Sequence, residues 1–354
     1  MKITRVRAVK PLSPGAPDDW RDWLGQILIM IDTEEGLTGY GVGGGGLAGV
    51  HVIDTVIRDI LVGQDSADVE SLWEEMYWRT LPYGQKGLAI MAISGADLAL
   101  WDLRAKVAQK PLAKLLSKDF TQTVPAYRTG RPTKEWLNNG TEGYSMLKLF
   151  LGFEPGERSV TKESIDRVIH EVRAVRAVLG PDVTIMGDAF MGLDVDSTLR
   201  LADELSDVGL SWIEEPLLPD DLEGYARLRD ECPIPIAGGE HEYTAKAFDL
   251  LMRERLHTIV QPDVCWCGGM TELLKIYRLG AEYGIDVCPH RGSEIWSLHA
   301  ICALDPNPLA ESGRPWMTWV KDQPSVKNGQ ITLGEADGFG VAFDSDSFAV
   351  TSKT

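Results

Sequence analysis

Three carboxylates carry the first chemical signal in this chain. Asp188 closes the run Val183-Thr184-Ile185-Met186-Gly187, Glu214 closes Leu210-Ser211-Trp212-Ile213, and Glu240 follows Pro235-Ile236-Ala237-Gly238-Gly239. Both intervals are 26 residues. One strand, its loops and a helix occupy about that length, so equal spacing places the three acids on consecutive parallel strands, at the C-terminal mouth of a barrel where active sites sit. Carboxylates within about 4 Å of one another repel by roughly 4 kcal/mol per pair at an effective dielectric of about 20. Their convergence therefore calls for a hard divalent cation, and oxygen-only ligands select Mg²⁺ or Mn²⁺. Each acid alone reads as a solvated loop residue; the shared cadence turns the three into a metal site.

The later strands add an acid and a base. Asp263 ends Thr258-Ile259-Val260-Gln261-Pro262 and His290 ends Asp286-Val287-Cys288-Pro289, 27 residues apart, so the two are expected side by side on adjacent strands. A carboxylate on one imidazole nitrogen raises the ring's basicity and turns the other nitrogen toward substrate. That makes His290 the expected base. Glu311, after Pro308-Leu309-Ala310, completes the ring of acids on an eighth strand. His170 and His257, within or beside helical patterns, are assigned to surface or core.

These residues need a scaffold, and the sequence supplies its grammar. Strand-like alternation at 2–10 is followed by two apolar runs, Gln26 to Asp32 and Leu37 to Val42, joined by Glu34-Glu35-Gly36, which reads as an antiparallel hairpin. Leu88 to Val107 carries Ile90, Ile93, Leu98, Trp101 and Ala105 at helical spacing. From Val124 the pattern changes to short apolar strands alternating with amphipathic helices, at least seven units, which suits a closed barrel better than an open doubly wound sheet. The expected organisation is an α+β capping domain over 1–123, a (β/α)7β TIM-type barrel over 124–323, and a tail over 324–354 that returns to the capping domain.

Composition narrows the partners. A formal charge of −18 in 354 residues argues against nucleic acid, whose phosphates require clustered Lys and Arg. The apolar runs stop short of the roughly 18 residues of a membrane span, and the opening Met1-Lys2-Ile3-Thr4-Arg5-Val6 lacks a signal-peptide core, so a cytoplasmic protein is expected. The five cysteines, Cys232, Cys265, Cys267, Cys288 and Cys302, are odd in number and lack CxxC pairs, which fits reduced thiols.

The ladder of residues resembles the enolase superfamily and, within it, the mandelate racemase group. The likeness covers nearly the whole chain. Ala96-Asp97-Leu98-Ala99-Leu100-Trp101-Asp102-Leu103 resembles the capping-domain helix, Trp212-Ile213-Glu214-Glu215-Pro216 the fourth-strand ligand motif, and Gly338-Phe339-Gly340-Val341 the C-terminal return. Gly239-Glu240-His241-Glu242, the segment from Gln261 to Lys275 and Val287-Cys288-Pro289-His290 are similar to rhamnonate dehydratases. The resemblance implies that Asp188, Glu214 and Glu240 bind Mg²⁺, that His290 is the acid/base catalyst tuned by Asp263, and that Glu311 stabilises the intermediate. It implies a Mg²⁺-dependent lyase that takes the C2 proton of an aldonate or aldarate to a metal-stabilised enediolate and eliminates the 3-hydroxyl as water. A Lys or His base, with Mg²⁺ stabilising the ene-diolate, is the general pattern of enolase-type sites. A homo-oligomer, dimer or octamer, is the corresponding expectation for assembly.

The chain also departs from the group. Its racemases carry Lys-x-Lys at the end of the second barrel strand, whereas this sequence reads Met146-Leu147-Lys148-Leu149-Phe150. If Lys148 matches the first lysine it contacts substrate carboxylate and one-base elimination follows; if it matches the second, racemisation stays open. Arg291 stands inserted after His290, and the N-terminal loop is short for a rhamnonate dehydratase. Substrate-contacting candidates are Trp20 and Arg21 in the loop Asp18 to Trp23, His51 in the loop Gly43 to His51, and His241 beside Glu240. Rival readings are a racemase, epimerase or cycloisomerase on the same fold, a non-catalytic barrel, and a nucleotide-binding oxidoreductase suggested by Gly41-Val42-Gly43-Gly44-Gly45-Gly46. That last motif needs a βαβ unit behind it, and the run before it reads as a hairpin arm.

Overall fold

The computed structural model describes residues 1–11, 25–131, 143–153 and 160–344. Its N-terminal part is a three-stranded antiparallel meander, β1 (Ile3–Val9), β2 (Ile27–Thr33) and β3 (Thr38–Gly43), with register pairs such as Val6 with Ile31 and Ile29 with Gly41. The hairpin read from the sequence is β2–β3. Short helices α1 (Gly46–Val52) and α2 (Arg58–Leu61), joined by a π-helical turn, lead to α3 (Val69–Thr80) and the long α4 (Leu88–Val107). Helix α4 is apolar on almost every face because β3 covers one side and the barrel the other. The glycine run of β3 has a packing role: a Cβ on Gly41 would stand 2.1 Å from the Gly95 carbonyl oxygen of α4. Close strand-on-helix approach, and an antiparallel neighbour, replace the phosphate loop that the GxGxxG spacing invites.

After α5 (Leu112–Leu116) the chain enters the barrel. Strands β4 (Thr123–Gly130), β5 (Met146–Phe150), β6 (Thr184–Asp188), β7 (Leu210–Glu214), β8 (Ile236–Gly238), β9 (Ile259–Val260) and β10 (Asp286–Val287) pair parallel in that order. The eighth strand, β11 (Ala310–Glu311), pairs parallel with β4, and the Ser293 amide donates to the Glu311 carbonyl across the remaining joint at 2.8 Å. The result is a curled parallel sheet of the modified TIM-barrel type. Between strands lie α6 (Lys162–Leu179), α7 (Val195–Glu204), α8 (Leu222–Glu231), α9 (Thr244–Arg253), α10 (Gly269–Tyr283) and α11 (Ile295–Leu304). Helix α6 shows how the sequence specifies such an element: Thr161 and Ser164 form a reciprocal capping box, and Ile165, Val168, Val172 and Val175 bury one stripe against the sheet.

Inside the barrel, Tyr127, Met186, Trp212, Ala237 and Cys288, one each from β4, β6, β7, β8 and the end of β10, form a small buried cluster below the mouth. The tail supplies three short strands, β12 (Val320–Lys321), β13 (Gln330–Thr332) and β14 (Ala342–Phe343). Strands β12 and β14 pair with each other, while β13 lies antiparallel on the start of β4. Beyond β13, the Phe339 amide donates to Asp102 of α4 at 2.9 Å, which ties the tail to the capping helix. All five cysteines are free thiols, four of them buried. Among the described residues no helix is long and apolar enough to cross a membrane.

Candidate active site

The strand ends deliver the spaced residues to one mouth. Asp188 and Glu214 are register partners on β6 and β7, so their side chains emerge next to each other. Glu240 follows β8 through Gly239, whose φ of +123° is open to glycine alone and whose added Cβ would meet Phe248 at 2.9 Å. Asp263, His290 and Glu311 come from the ends of β9, β10 and β11, and Lys148 points inward from the middle of β5. Backbone strain gathers at the same points. Phe190 and Met191 after Asp188, Glu215 after Glu214, and Arg291 after His290 all have positive φ, between 38° and 60°, a pattern that collects at functional sites.

Charge around the mouth divides into two groups. Lys148 Nζ makes a short contact with Glu214 Oε1 and lies 3.0 Å from Glu311 Oε1 and 3.6 Å from Asp188 Oδ2. Glu240 turns the other way: its Oε2 is 2.8 Å from His290 Nε2 and its Oε1 3.7 Å from His241 Nδ1. His241 Nδ1 also contacts Glu215 Oε2 at 2.7 Å, and Glu215, Glu240 and His241 form a group whose potential ligand atoms all lie within 4.8 Å of one another. Glu214 is further held by Gln261 Nε2 at 2.6 Å and by Trp212 Nε1 at 3.2 Å. Trp212 and Glu214 share a face of β7 because side chains alternate along a strand.

The expected pair is in place. His290 Nδ1 lies 2.9 Å from Asp263 Oδ2, and both side chains are buried. Burial by itself would lower the imidazole pKa, yet Glu240, Glu311 and the Asp263 hydrogen bond carry it up to about 10. Burial would raise Asp263, but Arg314 and His290 hold it below the usual carboxylate range. Glu311 is fully buried, accepts from Thr129 Oγ1 at 2.6 Å and from the Arg291 amide at 2.9 Å, and Lys148, Arg291 and His290 keep it ionised against the cost of burial.

A resident divalent cation fits this donor set. Burial, with Glu240, Glu215 and Glu311 nearby, pushes Asp188 up to about 6 against the pull of Lys148, and burial with Asp188, Glu311 and Glu240 pushes Glu214 up to about 8. One lysine does not compensate the acids crowded around it; a hard cation does. The residues that sequence reasoning missed are supporting ones. Gln261, Trp212 and Thr129 orient the acids, and Arg314 reaches Asp263 from beyond β11. No spacing announces them, although Gly313-Arg314-Pro315, just past Glu311, places a lone cation in a segment due to be buried.

The capping domain reaches this mouth. A Cβ on Gly44 would come within 2.9 Å of Trp266 Nε1, and the Trp266 ring stands 5.9 Å from His241 and 6.1 Å from His290. His241 is part-buried at the rim, with Phe190 at 6.0 Å on its other side. The loop expected over Gly43 to His51 is helical from Gly46 onward, which leaves His51 exposed on α1, and Trp20 and Arg21 lie outside the described residues.

Sequence profiles match along the chain: the mandelate racemase/muconate lactonizing enzyme N-terminal domain over residues 24–117, and the enolase C-terminal domain-like region over 134–347. The chain belongs to the mandelate racemase/muconate lactonizing enzyme family. An L-rhamnonate dehydratase of Saccharopolyspora erythraea is 37% identical over 333 residues, 90% of this chain and 83% of that protein. Among solved structures, the 3,6-anhydro-D-galactonate cycloisomerase of Zobellia galactanivorans superposes with a TM-score of 0.87 at 29% identity, covering 98% of both chains. A racemase of Streptomyces coelicolor A3(2) with bound magnesium gives 0.86 at 29% identity, again over 98% of both. Family membership makes the protein an enzyme, and the carboxylate-rich mouth together with the magnesium-bearing relative makes it one that uses a divalent metal.

Proposed function

We propose that this enzyme is a Mg²⁺-dependent dehydratase of an acid sugar, an aldonate or aldarate, and that it yields a 2-keto-3-deoxy acid and water. The observation that carries the reading is a buried His290–Asp263 pair, 2.9 Å apart, facing a cluster of acids in which Lys148 is the one lysine among the described residues. Asp188, Glu214 and Glu240 hold the metal in this reading, Mg²⁺ with Mn²⁺ as the alternative. When bound, the ion supplies a Lewis acid to the substrate carboxylate.

The chain's own residues do the rest. Asp263 fixes the Nδ1 side of His290; Nε2, which stands 2.8 Å from Glu240 and is protonated in that contact, becomes free to take the proton from C2 when Glu240 is engaged by the metal, a step worth roughly 10²- to 10⁴-fold. Electrons from the C2–H bond move toward the carboxylate, where Lys148 supplies positive charge and the ionised Glu311 holds Lys148 in place. Collapse of that charge breaks the C3–O bond, and His290 returns its proton to the departing hydroxyl. The resulting enol tautomerises to the ketone. Two-base racemisation is less well supported. Lys148 is tied to Glu214 and Glu311, and the next position on its face of β5 is Phe150, an aromatic paired in register with Asp188. His241, and the loop that carries Trp20 and Arg21, are assigned to substrate contact, with His51 as a further candidate.

Cycloisomerisation is a second reading, supported by the 29% identical cycloisomerase that covers 98% of the chain. The test is a screen of the purified protein with Mg²⁺ against aldonic and aldaric acids, read as 2-keto-3-deoxy product by semicarbazide absorbance. A hit abolished by EDTA supports dehydration and names the sugar acid. Conversion of an anhydro sugar acid without loss of water favours the cycloisomerase, and incorporation of solvent deuterium with inversion in recovered substrate favours a racemase.

A further inference from the structure

The carboxylate behind the base has a second cation on it. Asp263 Oδ1 accepts the Cys265 amide at 2.8 Å, while Oδ2 receives both His290 Nδ1 and a short contact from Arg314 Nη2. Arg314 comes from the loop after β11 and is itself held by Glu294, the residue that precedes α11. Its Nη1 lies 2.5 Å from Glu294 Oε2, its own amide donates to Glu294 Oε1 at 2.7 Å, and its guanidinium stands over the Trp266 ring at 5.6 Å. The four side chains Glu294, Arg314, Asp263 and His290 thus form one continuous chain through three strand ends.

We propose that Arg314 is a positioning residue for the base: it locks the Asp263 carboxylate, and through it the His290 ring, with Nε2 turned into the barrel mouth. The inference rests on reading His290 as the base. The guanidinium suits the task because its planar fork engages Glu294 with one nitrogen and Asp263 with the other, fixing both direction and distance. A buried ion pair is weak evidence for a purely stabilising role, since well-packed apolar residues often serve stability as well or better. What the charge adds here is orientation. With Arg314 removed, the Cys265 amide and the imidazole itself are the hydrogen-bond partners left to the Asp263 carboxylate among the described residues, and it is free to turn away from the ring.

The test uses the full-length protein loaded with Mg²⁺ and compares Arg314→Met, Arg314→Lys and Glu294→Gln with the parent. Nitrogen-15 histidine labelling gives a readout that needs no substrate: the Nδ1 proton of His290, assigned by its absence in His290→Ala. We expect that signal to broaden or move in Arg314→Met and to be restored in part by Arg314→Lys. Turnover is expected to fall roughly 10- to 100-fold, the usual cost of losing a partner that orients a functional side chain, with KM and Mg²⁺ affinity unchanged. In an Asp263→Asn background the same substitution should cost almost nothing more, because both changes break one chain. Losses that multiply in the double variant, or an unmoved Nδ1 signal, overturn the proposal. Should Arg314→Met fail to fold, Glu294→Gln decides: wild-type turnover and an unmoved signal overturn the proposal, and loss of both supports it. A shifted signal in a protein inactive on every acid sugar supports Arg314's role while overturning the dehydratase reading.

Discussion

At the seam between the N-terminal helices and the barrel, Asp97 of α4 is buried and accepts hydrogen bonds from the Thr271 amide at 2.9 Å and the Thr271 hydroxyl at 2.5 Å. Trp101 Nε1 donates to the same hydroxyl, Trp73 Nε1 to the Gly268 carbonyl, and the Gly268 amide to Ser94 Oγ. Asp102 is answered similarly by Lys106 and by the amides of Tyr40 and Phe339. Each buried acid there has partners of its own, so the seam is complete as folded. The barrel mouth is built on the opposite plan. Asp188 and Glu214 share Lys148 with Glu311, which also has Arg291 and His290 beside it, and the crowding of Asp188 and Glu214 onto one lysine calls for a further cation. Buried acids that each have hydrogen-bond partners of their own belong to structure; acids crowded onto one shared lysine mark where a ligand binds.

Two histidines make the same contrast. His290 at the mouth is carried up to about 10, whereas burial holds His299 at the seam down to about 4. His299 Nδ1 accepts the Ala113 amide at 3.0 Å, which fixes that nitrogen as unprotonated, and Nε2 faces the Phe339 carbonyl at 3.4 Å. One imidazole is surrounded by acids and the other by backbone.

The largest effect should come from the mouth. His290→Ala is expected to cut turnover by about 10²-fold or more while leaving Mg²⁺ affinity nearly unchanged by calorimetry. Substantial residual turnover would move the base to another residue, Lys148 first. Next, Glu214→Gln should leave the protein folded and abolish the rise in melting temperature that Mg²⁺ gives the parent, a stabilisation of about 3 kcal/mol at a hundredfold excess over Kd. A persisting Mg²⁺ shift would transfer the site toward Glu215, Glu240 and His241.

Acid should act on the seam. An unfolded histidine binds its proton near pH 6.5, but native His299 does not until about pH 4. Between those values the unfolded state holds more protons, so stability falls as pH drops through the window, by about 3 kcal/mol for this one group. Asp97 acts in the opposite direction. Burial, resisted by the Thr271 hydrogen bonds, pushes it up to about 8, so its contribution is lost as pH rises from the ordinary aspartate value toward 8. The His299→Gln variant isolates the imidazole: its urea midpoint should fall less between pH 7 and pH 5 than the parent's. Equal slopes would mean that His299 is protonated in the native state. Smallest, Asp97→Ala should cost about 1–3 kcal/mol by stranding the Thr271 amide, seen as a lower melting temperature with Mg²⁺ affinity intact. A loss of Mg²⁺ binding there would join the two regions that the comparison separates.

Much of this was legible in the chain. A repeat of 26 residues between acids at strand ends arises when each interval spans one strand–helix unit, so covalent spacing alone put Asp188, Glu214 and Glu240 on successive strands of a barrel, with Asp263, His290 and Glu311 following. The hairpin and the long α4 were readable because periods of two and of 3.6 residues are local properties of the backbone. Tertiary packing decided the rest. The glycines of β3 match a nucleotide loop as letters, and only the approach of α4, to within 2.1 Å of where a methyl on Gly41 would stand, reveals why no side chain fits. Arg314 reaches Asp263 across 51 residues of sequence and Glu294 across 20, with no recurring interval. Which acid faces which cation is settled by through-space charge and by rotamers at the mouth, and neither is written in the order of residues along the chain.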